Sequence, residues 1–275
     1  MKIEKKIKDH FLTKESFSLI KYDKGVLRTM PDLSEKALSK YYESEQYASH
    51  NRVRGFLGSL YVFFSRMMLK FKFGTIKRYL KKEGLVVDFG CGNGDFVSYV
   101  SAQNKKVIGI ENNKRAVEVC EKKQIKVLSS VSSVQSKINV ITFWHSFEHL
   151  SNPEKVIKAV KKHTDDDSVI VVALPNYKSF DASYYDRFWA AYDVPRHRFH
   201  YSKFGIKQTM KKFGFQCVKT KPMFLDALYI SMISEKYKSN KLFFIKGFVV
   251  GIISNLLGFF NSNYSSSLFV FKKSI

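Results

Sequence analysis

The sequence is poor in cysteine and proline. Its 275 residues include 3 cysteines and 5 prolines. The cysteines (Cys91, Cys120 and Cys217) form neither a disulfide framework nor a CxxC zinc pair, so no metal site and a reducing, cytoplasmic location are expected. The first residues, MKIEKKIKDHFLTKE, contain no apolar run after their lysines, which predicts no secretory signal.

Acidic residues are also scarce. There are 24 Asp and Glu against 47 Lys and Arg, which gives a formal charge of +23. Such a charge suggests a nucleic-acid or anionic-membrane partner. However, only nine of the basic residues are arginine, the residue that makes most bidentate contacts to bases and phosphates. The lysines are scattered, so we interpret the charge as mainly compositional and do not favour a nucleic-acid partner.

What is present is an alternation of short β-branched runs with charged helical segments from Leu85 onward. A composition of 45% hydrophobic and 15% aromatic residues excludes a disordered or fibrous chain. Strands are predicted at Leu85–Phe89, Lys106–Ile110, Ile125–Leu128, Asn139–Phe143, Ser168–Ala173, Phe215–Thr220 and Ser267–Lys273. Helices are predicted near Asp95–Ala102, Lys114–Lys123, Pro153–His163 and Ser202–Phe213. This alternation indicates an α/β fold, with a seven-stranded, mostly parallel sheet covered by helices on both faces.

Three segments lie outside this alternation. Residues 1–83 form an N-terminal extension that is expected to be largely helical, because apolar residues recur at helical spacing between Gly55 and Leu80. The aromatic-rich segment 176–201 is interpreted as a lid. A helical insert over 226–260 precedes the last strand and completes the domain 84–275.

The strongest local signal is a glycine-rich turn after the first strand of this domain. Asp88 ends the buried part of the strand, and Gly90, Gly92 and Gly94 follow. Glycines let backbone N–H groups approach a ligand closely. The spacing differs from a dinucleotide fingerprint, and an acidic residue here suits a cationic ligand rather than a pyrophosphate. Because Glu111 ends the second strand, where a carboxylate accepts both ribose hydroxyls, a nucleoside-type site is predicted.

These motifs together resemble those of the class I S-adenosylmethionine-dependent methyltransferases. The quoted segments are Asp88-Phe-Gly-Cys-Gly-Asn-Gly94, Glu111, the fourth-strand segment from Asn139 through Glu148-His149-Leu150, and Leu174-Pro175-Asn176. A narrower resemblance, to a branch of bacterial methyltransferases, lies in Pro195-Arg-His197 and Phe199-His-Tyr-Ser202. The resemblance implies a Rossmann-like fold and S-adenosylmethionine as cofactor, with S-adenosylhomocysteine as product.

The resemblance also implies a set of cofactor contacts at the strand ends. They are Asp88, Gly90, Cys91, Gly92, Glu111, Asn112, Ser129 and Trp144. In this set Glu111 binds the ribose hydroxyls, Asp88 helps to hold the cationic end, and Trp144 lies beside the methionyl chain. Ser129 stands where the family often has an acidic residue for the adenine amino group, and a serine hydroxyl accepts that hydrogen bond more weakly.

Methyl transfer from a sulfonium needs alignment and exclusion of water, and it needs a general base only when the acceptor arrives protonated. The catalytic candidates are His145, His149, Asp193 and His197. The lid residues Trp189, Tyr192, Arg196 and His200 are expected to bind the acceptor, with Arg196 as an anion clamp. For each of these residues a purely structural role is the alternative.

The segment Leu242–Phe260 carries one charge, Lys246, in 19 residues. It is long enough to span a membrane, but a stripe of small residues and the sheet strand that follows argue against a span. A buried helix, a dimer interface and an interfacial membrane contact are three possible roles for this segment, and the protein is expected to be a monomer or a homodimer.

The expected function is methylation of a small or lipid-like acceptor at oxygen, nitrogen or carbon, in the cytoplasm or peripherally at the inner membrane face. A nucleic-acid methyltransferase is an alternative, although no Asn/Asp-Pro-Pro-Tyr/Trp motif follows the fourth strand. A non-catalytic cofactor-binding or membrane-associated module is a second alternative.

Overall fold

The computed structural model describes residues 3–42 and 56–274, with only the backbone for residues 56–64. The strands are β1 (Ile3–Lys8), β2 (Ser16–Asp23), β3 (Val26–Met30), β4 (Leu85–Phe89), β5 (Val107–Ile110), β6 (Val127–Leu128), β7 (Ile138–Trp144), β8 (Thr164–Pro175), β9 (Phe199–Tyr201), β10 (Phe215–Pro222) and β11 (Ser266–Lys273). The α-helices are α1 (Glu35–Ser39), α2 (Phe56–Ile76), α3 (Asp95–Ser101), α4 (Lys114–Lys122), α5 (Pro153–His163), α6 (Phe180–Tyr185), α7 (Lys203–Lys212), α8 (Phe224–Tyr237) and α9 (Phe243–Asn261).

The larger sheet has seven strands in the order β10-β11-β8-β7-β4-β5-β6. Strands β8, β7, β4, β5 and β6 pair in parallel, and β11 is antiparallel to both of its neighbours. Strand β7 is buried at every position, as expected for a central strand of a sheet covered on both faces. The predicted seven-stranded, mostly parallel Rossmann-like architecture is therefore confirmed.

Helix starts follow from local sequence chemistry. The side chains of Asn113, Asn152 and Ser202 accept the backbone N–H of Ala116, Lys155 and Gly205, respectively. These hydrogen bonds satisfy donors that have no partner in the first turn of a helix. The caps place α4, α5 and α7 where the alternation predicts them. Helices α4 and α5 begin after the carboxyl ends of β5 and β7, which is the edge of a parallel sheet where ligands bind.

The N-terminal extension contains helix α2, as expected, but it also contains three strands that the sequence analysis did not predict. Strands β1, β2 and β3 form an antiparallel sheet with β9 in the order β1-β2-β3-β9. Val26 pairs with Tyr201, and Arg28 pairs with Phe199. The end of the segment 176–201 is thus part of this second sheet. Residues 43–55, including the Gly55 that begins the predicted helical stretch, lie outside the described residues.

The helical insert is a hairpin of α8 and α9, and glycines allow its helices to pack closely. A Cβ atom on Gly251 would lie 2.7 Å from Leu228 Cα and 2.8 Å from the Ala227 carbonyl oxygen. Gly247, Ser254 and Gly258 are buried on the same side of α9. The small-residue stripe therefore serves helix packing within the chain.

The opposite side of α9 is apolar and exposed. Phe260 is 82% exposed, Phe259 73%, Leu242 65% and Leu256 59%. Within the described residues, α9 is the one helix long and apolar enough to cross a membrane by length and composition, with 28% of that stretch buried. One face of the helix is thus covered by α8, and the other face is bare.

We expect Gly251→Ala to lower the free energy of unfolding by about 1–3 kcal/mol, because the added methyl group would collide with the α8 backbone. Gly74→Ala is the matched control: it lies in α2, and its Cβ would meet nothing within 4 Å. It should raise the free energy of unfolding by about 0.5–1 kcal/mol through helix propensity. Urea denaturation measures both, and equal effects would contradict the packing role of Gly251.

Candidate cofactor and active site

The turn after β4 combines two crowded glycines with one open glycine. All three have positive φ: 69° at Gly90, 53° at Gly92 and 76° at Gly94. A Cβ on Gly90 would lie 2.5 Å from Ser146 Cβ, and one on Gly94 would collide with the side chain of Ile125. At Gly92 a Cβ would meet nothing within 4 Å. The turn is therefore fixed by packing at its ends and open to a ligand in its middle.

Cys91 faces inward rather than toward this opening. Its Sγ atom fills the space beside Gly109, where an added Cβ would lie only 2.5 Å away. Burial raises the pKa of the Cys91 thiol far above its usual range. The thiol is thus not poised as a nucleophile, and only the backbone of Cys91 is available for the predicted cofactor contact.

Glu111 lies beside the open glycine. One carboxylate oxygen accepts the Gly92 N–H at 3.0 Å, and the other accepts the N–H groups of Asn112 and Asn113 at 2.8 Å each. A carboxylate offers about four acceptor positions. The three N–H groups use three of them, so about one position, on the oxygen that accepts from Gly92, is left for a ribose hydroxyl. Asn112 is exposed next to it, and Ser129 is exposed just after β6. This placement brings the predicted ribose and adenine contacts to one edge of the sheet.

Asp88 is buried below the glycine turn and accepts a hydrogen bond from Thr142 Oγ1 at 2.6 Å. Burial raises the pKa of its carboxyl group to about 6, although Thr142 and Lys72 act in the opposite direction. Asp88 is therefore largely ionised at neutral pH but becomes neutral under mildly acidic conditions.

Trp144 ends β7 and carries an unsatisfied donor. Its indole N–H is buried and has no hydrogen-bond partner among the residues that the structure describes. The Lys72 ammonium group lies over the indole ring, 5.1 Å from the ring centroid. A donor and a cation side by side suit an anionic group, such as the carboxylate of the methionyl part of S-adenosylmethionine. The sequence analysis placed Trp144 here and missed Lys72, since α2 carries no recognisable motif.

His145 follows Trp144 with a φ of 53°, an uncommon conformation for a non-glycine residue. Its Nε2 lies 3.0 Å from Asp226 Oδ2, and its Nδ1 lies 3.6 Å from Glu148 Oε1. Burial would lower the pKa of His145, but the two carboxylates outweigh it and raise the pKa to about 10. His145 is thus protonated at neutral pH and cannot accept a proton there, which differs from the predicted general-base role. Asp226, from the first turn of α8, was not predicted.

Glu148 lies behind His145 and is 2% exposed. Burial would raise the pKa of its carboxyl group, but His145 and His197 outweigh it and lower the pKa to about 2. Burial, reinforced by His197, lowers the pKa of His149 to about 4. The ligand atoms of Glu148, His149 and His197 all lie within 4.8 Å of one another. The structure therefore joins an ionised carboxylate and two candidate bases in one cluster, and the sequence analysis omitted Glu148 from it.

The segment 176–201 is packed into a second core rather than suspended over an opening. Arg196 is 1% exposed, and its guanidinium donates to Asp193, to Asp9 and to the Tyr41 carbonyl oxygen. Although burial opposes the shift, Arg196 lowers the pKa of both Asp193 and Asp9. The predicted anion clamp is thus already occupied by two carboxylates of the protein itself.

The other predicted acceptor contacts are also engaged internally. The Trp189 indole donates to Asp181 Oδ2 at 2.7 Å, and both Trp189 and Tyr192 are buried in a core with Ile230 and Val250. His200 Nε2 lies 2.9 Å from Thr29 Oγ1, and burial lowers the pKa of His200 to about 3. In this conformation these side chains hold the segment in place and present little surface to an acceptor.

Comparison with known proteins agrees with this geometry. A family model described as "Methyltransferase domain" matches residues 65–220, more than half of the chain. No curated protein matches the chain in sequence. Among solved structures, a SAM-dependent methyltransferase from Archaeoglobus fulgidus is 22% identical, covers 76% of this chain and 94% of its own, and gives a TM-score of 0.51.

Two further structures are similar in fold. Magnesium protoporphyrin IX methyltransferase from Synechocystis PCC 6803, solved with bound S-adenosylhomocysteine, is 13% identical, covers 88% of this chain and 100% of its own, and gives a TM-score of 0.56. The cyclopropane synthase MmaA2 from Mycobacterium tuberculosis is 13% identical, covers 75% of this chain and 83% of its own, and gives a TM-score of 0.52.

The glycine turn, the acidic end of β5 and the order of the sheet define a class I methyltransferase. The chain belongs to the methyltransferase-domain family. It is an enzyme, and its cofactor is S-adenosylmethionine. The individual site residues remain predictions, which the following two experiments test.

We expect Glu111→Ala to weaken binding of S-adenosylhomocysteine by about 1.5–3 kcal/mol, because hydrogen bonds to a charged carboxylate are lost. Isothermal titration calorimetry measures the change. Glu118→Ala is the matched control, since Glu118 is exposed on α4 and should leave affinity unchanged. Equal affinity of the Glu111→Ala variant and the parent would exclude the ribose role.

Affinity for S-adenosylmethionine should rise between pH 5 and pH 7. Because the pKa of Asp88 is about 6, the carboxyl group is neutral at the lower pH and carries a negative charge toward the sulfonium at the higher pH. S-adenosylhomocysteine lacks the sulfonium charge, so its affinity should change much less. The Asp88→Asn variant should remove the difference between the two ligands; an unchanged pH profile in that variant would show that Asp88 is not responsible.

Proposed function

We propose that the protein transfers the methyl group of S-adenosylmethionine to a lipid-like acceptor that it meets at the cytoplasmic face of an anionic membrane. The observation that carries this proposal is the bare apolar face of α9, a helix bonded to the start of α8, where Asp226 pairs with His145. A water-soluble small acceptor is the nearest alternative within the same reaction.

The donor side of the site suits a cofactor that carries both a carboxylate and a sulfonium cation. Trp144 and Lys72 offer an N–H donor and a positive charge to a carboxylate, while Asp88 supplies negative charge below the turn. The chemistry that the bound cofactor supplies is an electrophilic methyl group on sulfur. The role of the chain is to orient that group and to exclude water.

The acceptor side is defined by the contact between His145 and Asp226. Because His145 is protonated, it is suited to hold an anionic or hydrogen-bond-accepting part of the acceptor rather than to remove a proton. His149 has an uncharged imidazole at neutral pH and is the remaining candidate base of the pair. An acceptor that arrives as a nucleophile would need neither histidine as a base.

Contacts at the start of α8 connect this acceptor side to α9. Asp226 is two residues after Phe224, which is 53% exposed and packs edge-on against Tyr264 at 5.6 Å. The Asn255 side chain donates to the Phe224 carbonyl oxygen at 2.9 Å, so α9 is fastened to the start of α8. An apolar surface that reaches the edge of the site suits an acceptor with a hydrocarbon portion.

The charge around the hairpin favours an anionic membrane as the surface that α9 meets. Four lysines lie at or near the turn between α8 and α9, and all are exposed: Lys236, Lys238, Lys241 and Lys246. An apolar helix face flanked by lysines is typical of a helix that lies in the plane of a membrane interface. Each such lysine adds about 1 kcal/mol of attraction to an anionic surface. The net charge of +23 acts in the same direction over a longer range.

Lipid-like ligands occur among the fold neighbours. One such neighbour is a mycolic acid cyclopropane synthase solved with S-adenosylhomocysteine and CTAB, which is 13% identical and gives a TM-score of 0.53. Another neighbour is coclaurine N-methyltransferase, 14% identical with a TM-score of 0.51, so this fold also accommodates small acceptors. The preference for a lipid therefore rests on α9 and not on the neighbours.

The test is methyl transfer from labelled S-adenosylmethionine to a total lipid extract and, separately, to an aqueous metabolite extract. We expect label in the lipid fraction and co-sedimentation with vesicles that contain phosphatidylglycerol. The double variant Leu256→Asp, Phe260→Asp should weaken vesicle binding by at least about tenfold, since two exposed apolar side chains lose their burial in the membrane. It should retain full affinity for S-adenosylhomocysteine.

Ile3→Asp is the matched control for that experiment. Ile3 is 51% exposed on β1 and belongs to the other sheet, so its substitution should leave vesicle binding unchanged. Label confined to aqueous metabolites would favour the small-acceptor alternative. If the parent protein does not bind vesicles and is a dimer, and the double variant is a monomer, the α9 face is a homodimer interface instead.

A further inference from the structure

The cluster of Glu148, His149 and His197 has features that the methyl-transfer reaction does not account for. Glu148 and His149 come from the short 3₁₀ turn after β7, and His197 comes from the segment 176–201, 48 residues later. Their ligand atoms all lie within 4.8 Å of one another. Neither oxygen of the buried Glu148 carboxylate has a hydrogen-bond partner among the residues that the structure describes. The nearest side-chain nitrogen, His145 Nδ1, lies 3.6 Å from Oε1, beyond hydrogen-bond distance, so the carboxylate keeps buried acceptor positions that are available to a bound cation.

Both imidazole rings are oriented by a hydrogen bond between Nδ1 and a backbone carbonyl oxygen. His149 Nδ1 lies 3.0 Å from the Arg196 carbonyl oxygen, and His197 Nδ1 lies 2.9 Å from the Ala191 carbonyl oxygen. A carbonyl oxygen only accepts, so in each ring Nδ1 carries the hydrogen and Nε2 keeps its lone pair. Metal-binding histidines are typically held in this way, with one nitrogen on a carbonyl oxygen and the other on the metal.

The remaining Nε2 of His197 is directed toward Glu148. It lies 4.0 Å from Glu148 Oε1, and the His149 and His197 rings meet edge to face with centroids 4.6 Å apart. Zinc–ligand bonds of 2.0–2.2 Å place neighbouring ligand atoms roughly 3.3 Å apart in a tetrahedral site. To move from the observed separations of up to 4.8 Å to this spacing, each side chain has to shift by about 1 Å or less. Small rotations about the χ angles supply such a shift.

We propose that Glu148, His149 and His197 form a binding site for one divalent transition-metal ion of the Zn²⁺ type. Two imidazole nitrogens and one carboxylate oxygen are a donor set that such ions prefer, and hard ions such as Mg²⁺ favour oxygen ligands instead. A bound ion would neutralise the Glu148 carboxylate and tie the turn after β7 to the segment 176–201.

Nearby charged groups leave the three-residue set intact. His145 is held through its Nε2, 3.0 Å from Asp226 Oδ2, and its Nδ1 stays 3.6 Å from Glu148 Oε1. Asp193 Oδ2 lies 4.0 Å from His197 Nε2 but accepts a hydrogen bond from Arg196. The Tyr42 hydroxyl lies 3.1 Å from His149 Nδ1, the nitrogen that also contacts the Arg196 carbonyl oxygen. The protein thus supplies three ligands, the number in catalytic zinc sites that keep a further position for water or substrate.

The experiment uses the full chain after treatment with a chelator. Zn²⁺ is titrated by calorimetry at pH 7.5, and Co²⁺ is added in parallel as a visible spectroscopic probe. We expect one ion per chain and d–d absorption bands from Co²⁺. Glu148→Gln and His197→Gln should each weaken Zn²⁺ binding by more than about tenfold, since even outer partners of metal ligands contribute that much. Glu148→Asp keeps the carboxylate and should retain binding.

His163→Gln is the matched control, because His163 lies at the end of α5 and outside the cluster. It should bind Zn²⁺ as the parent does. Thermal melts with and without Zn²⁺ guard against misfolded variants: the ion should raise the melting temperature of the parent and of His163→Gln, but not that of His197→Gln. No stoichiometric binding by the parent, or equal affinity in the parent and in His197→Gln, would overturn the metal site. Affinity for S-adenosylhomocysteine, measured on the same samples, tests the proposed function separately.

Discussion

The structure depends on one buried guanidinium. Arg196 is fully enclosed and is bonded to Asp9, from the turn after β1, and to Asp193, three residues before it. A buried charge is tolerated only with its partners in place, and removal of one partner typically costs about 3–5 kcal/mol. Since Asp9 belongs to the N-terminal extension, the extension and the segment 176–201 must dock together. The carbonyl groups of Ala191 and Arg196 that orient His197 and His149 are placed by the same docking.

The second constraint is the pairing of His145 with Asp226. It links the end of a central strand to the first turn of the helical insert, so the insert is part of the site as well as a surface feature. The apolar face of α9 is therefore fixed relative to the cofactor edge of the sheet. Family folds often carry their specificity in such added segments, because a conserved framework places the donor and the insertions choose the acceptor.

The central sheet and the glycine turn could be predicted because their signals are local. A run such as Asn139–Phe143 is rich in β-branched and aromatic residues, and Gly90 and Gly92 come just after a strand. Strands β1–β3 were missed, because the lysines of β1 obscure their alternation. Trp189 and Arg196 suggested an acceptor pocket, but the same residue types also occur in a protein core. Their hydrogen bonds to Asp181 and Asp9, which the sequence does not reveal, show that they belong to a second core. Glu148 and His197 could not be joined from the sequence, since their proximity arises from tertiary packing.

The position of β11 has a consequence for the order in which the molecule is made. This strand follows α9 in the chain, yet it lies between β8 and β10 in the sheet. During synthesis β10 emerges first and has no partner until β11 has also left the ribosome. By then strands β4 to β8, whose carboxyl ends form the cofactor site, have all been synthesised and can pair with one another. The bare α9 helix is thus exposed before the sheet closes, at the stage when nascent chains with apolar surface are most prone to aggregate.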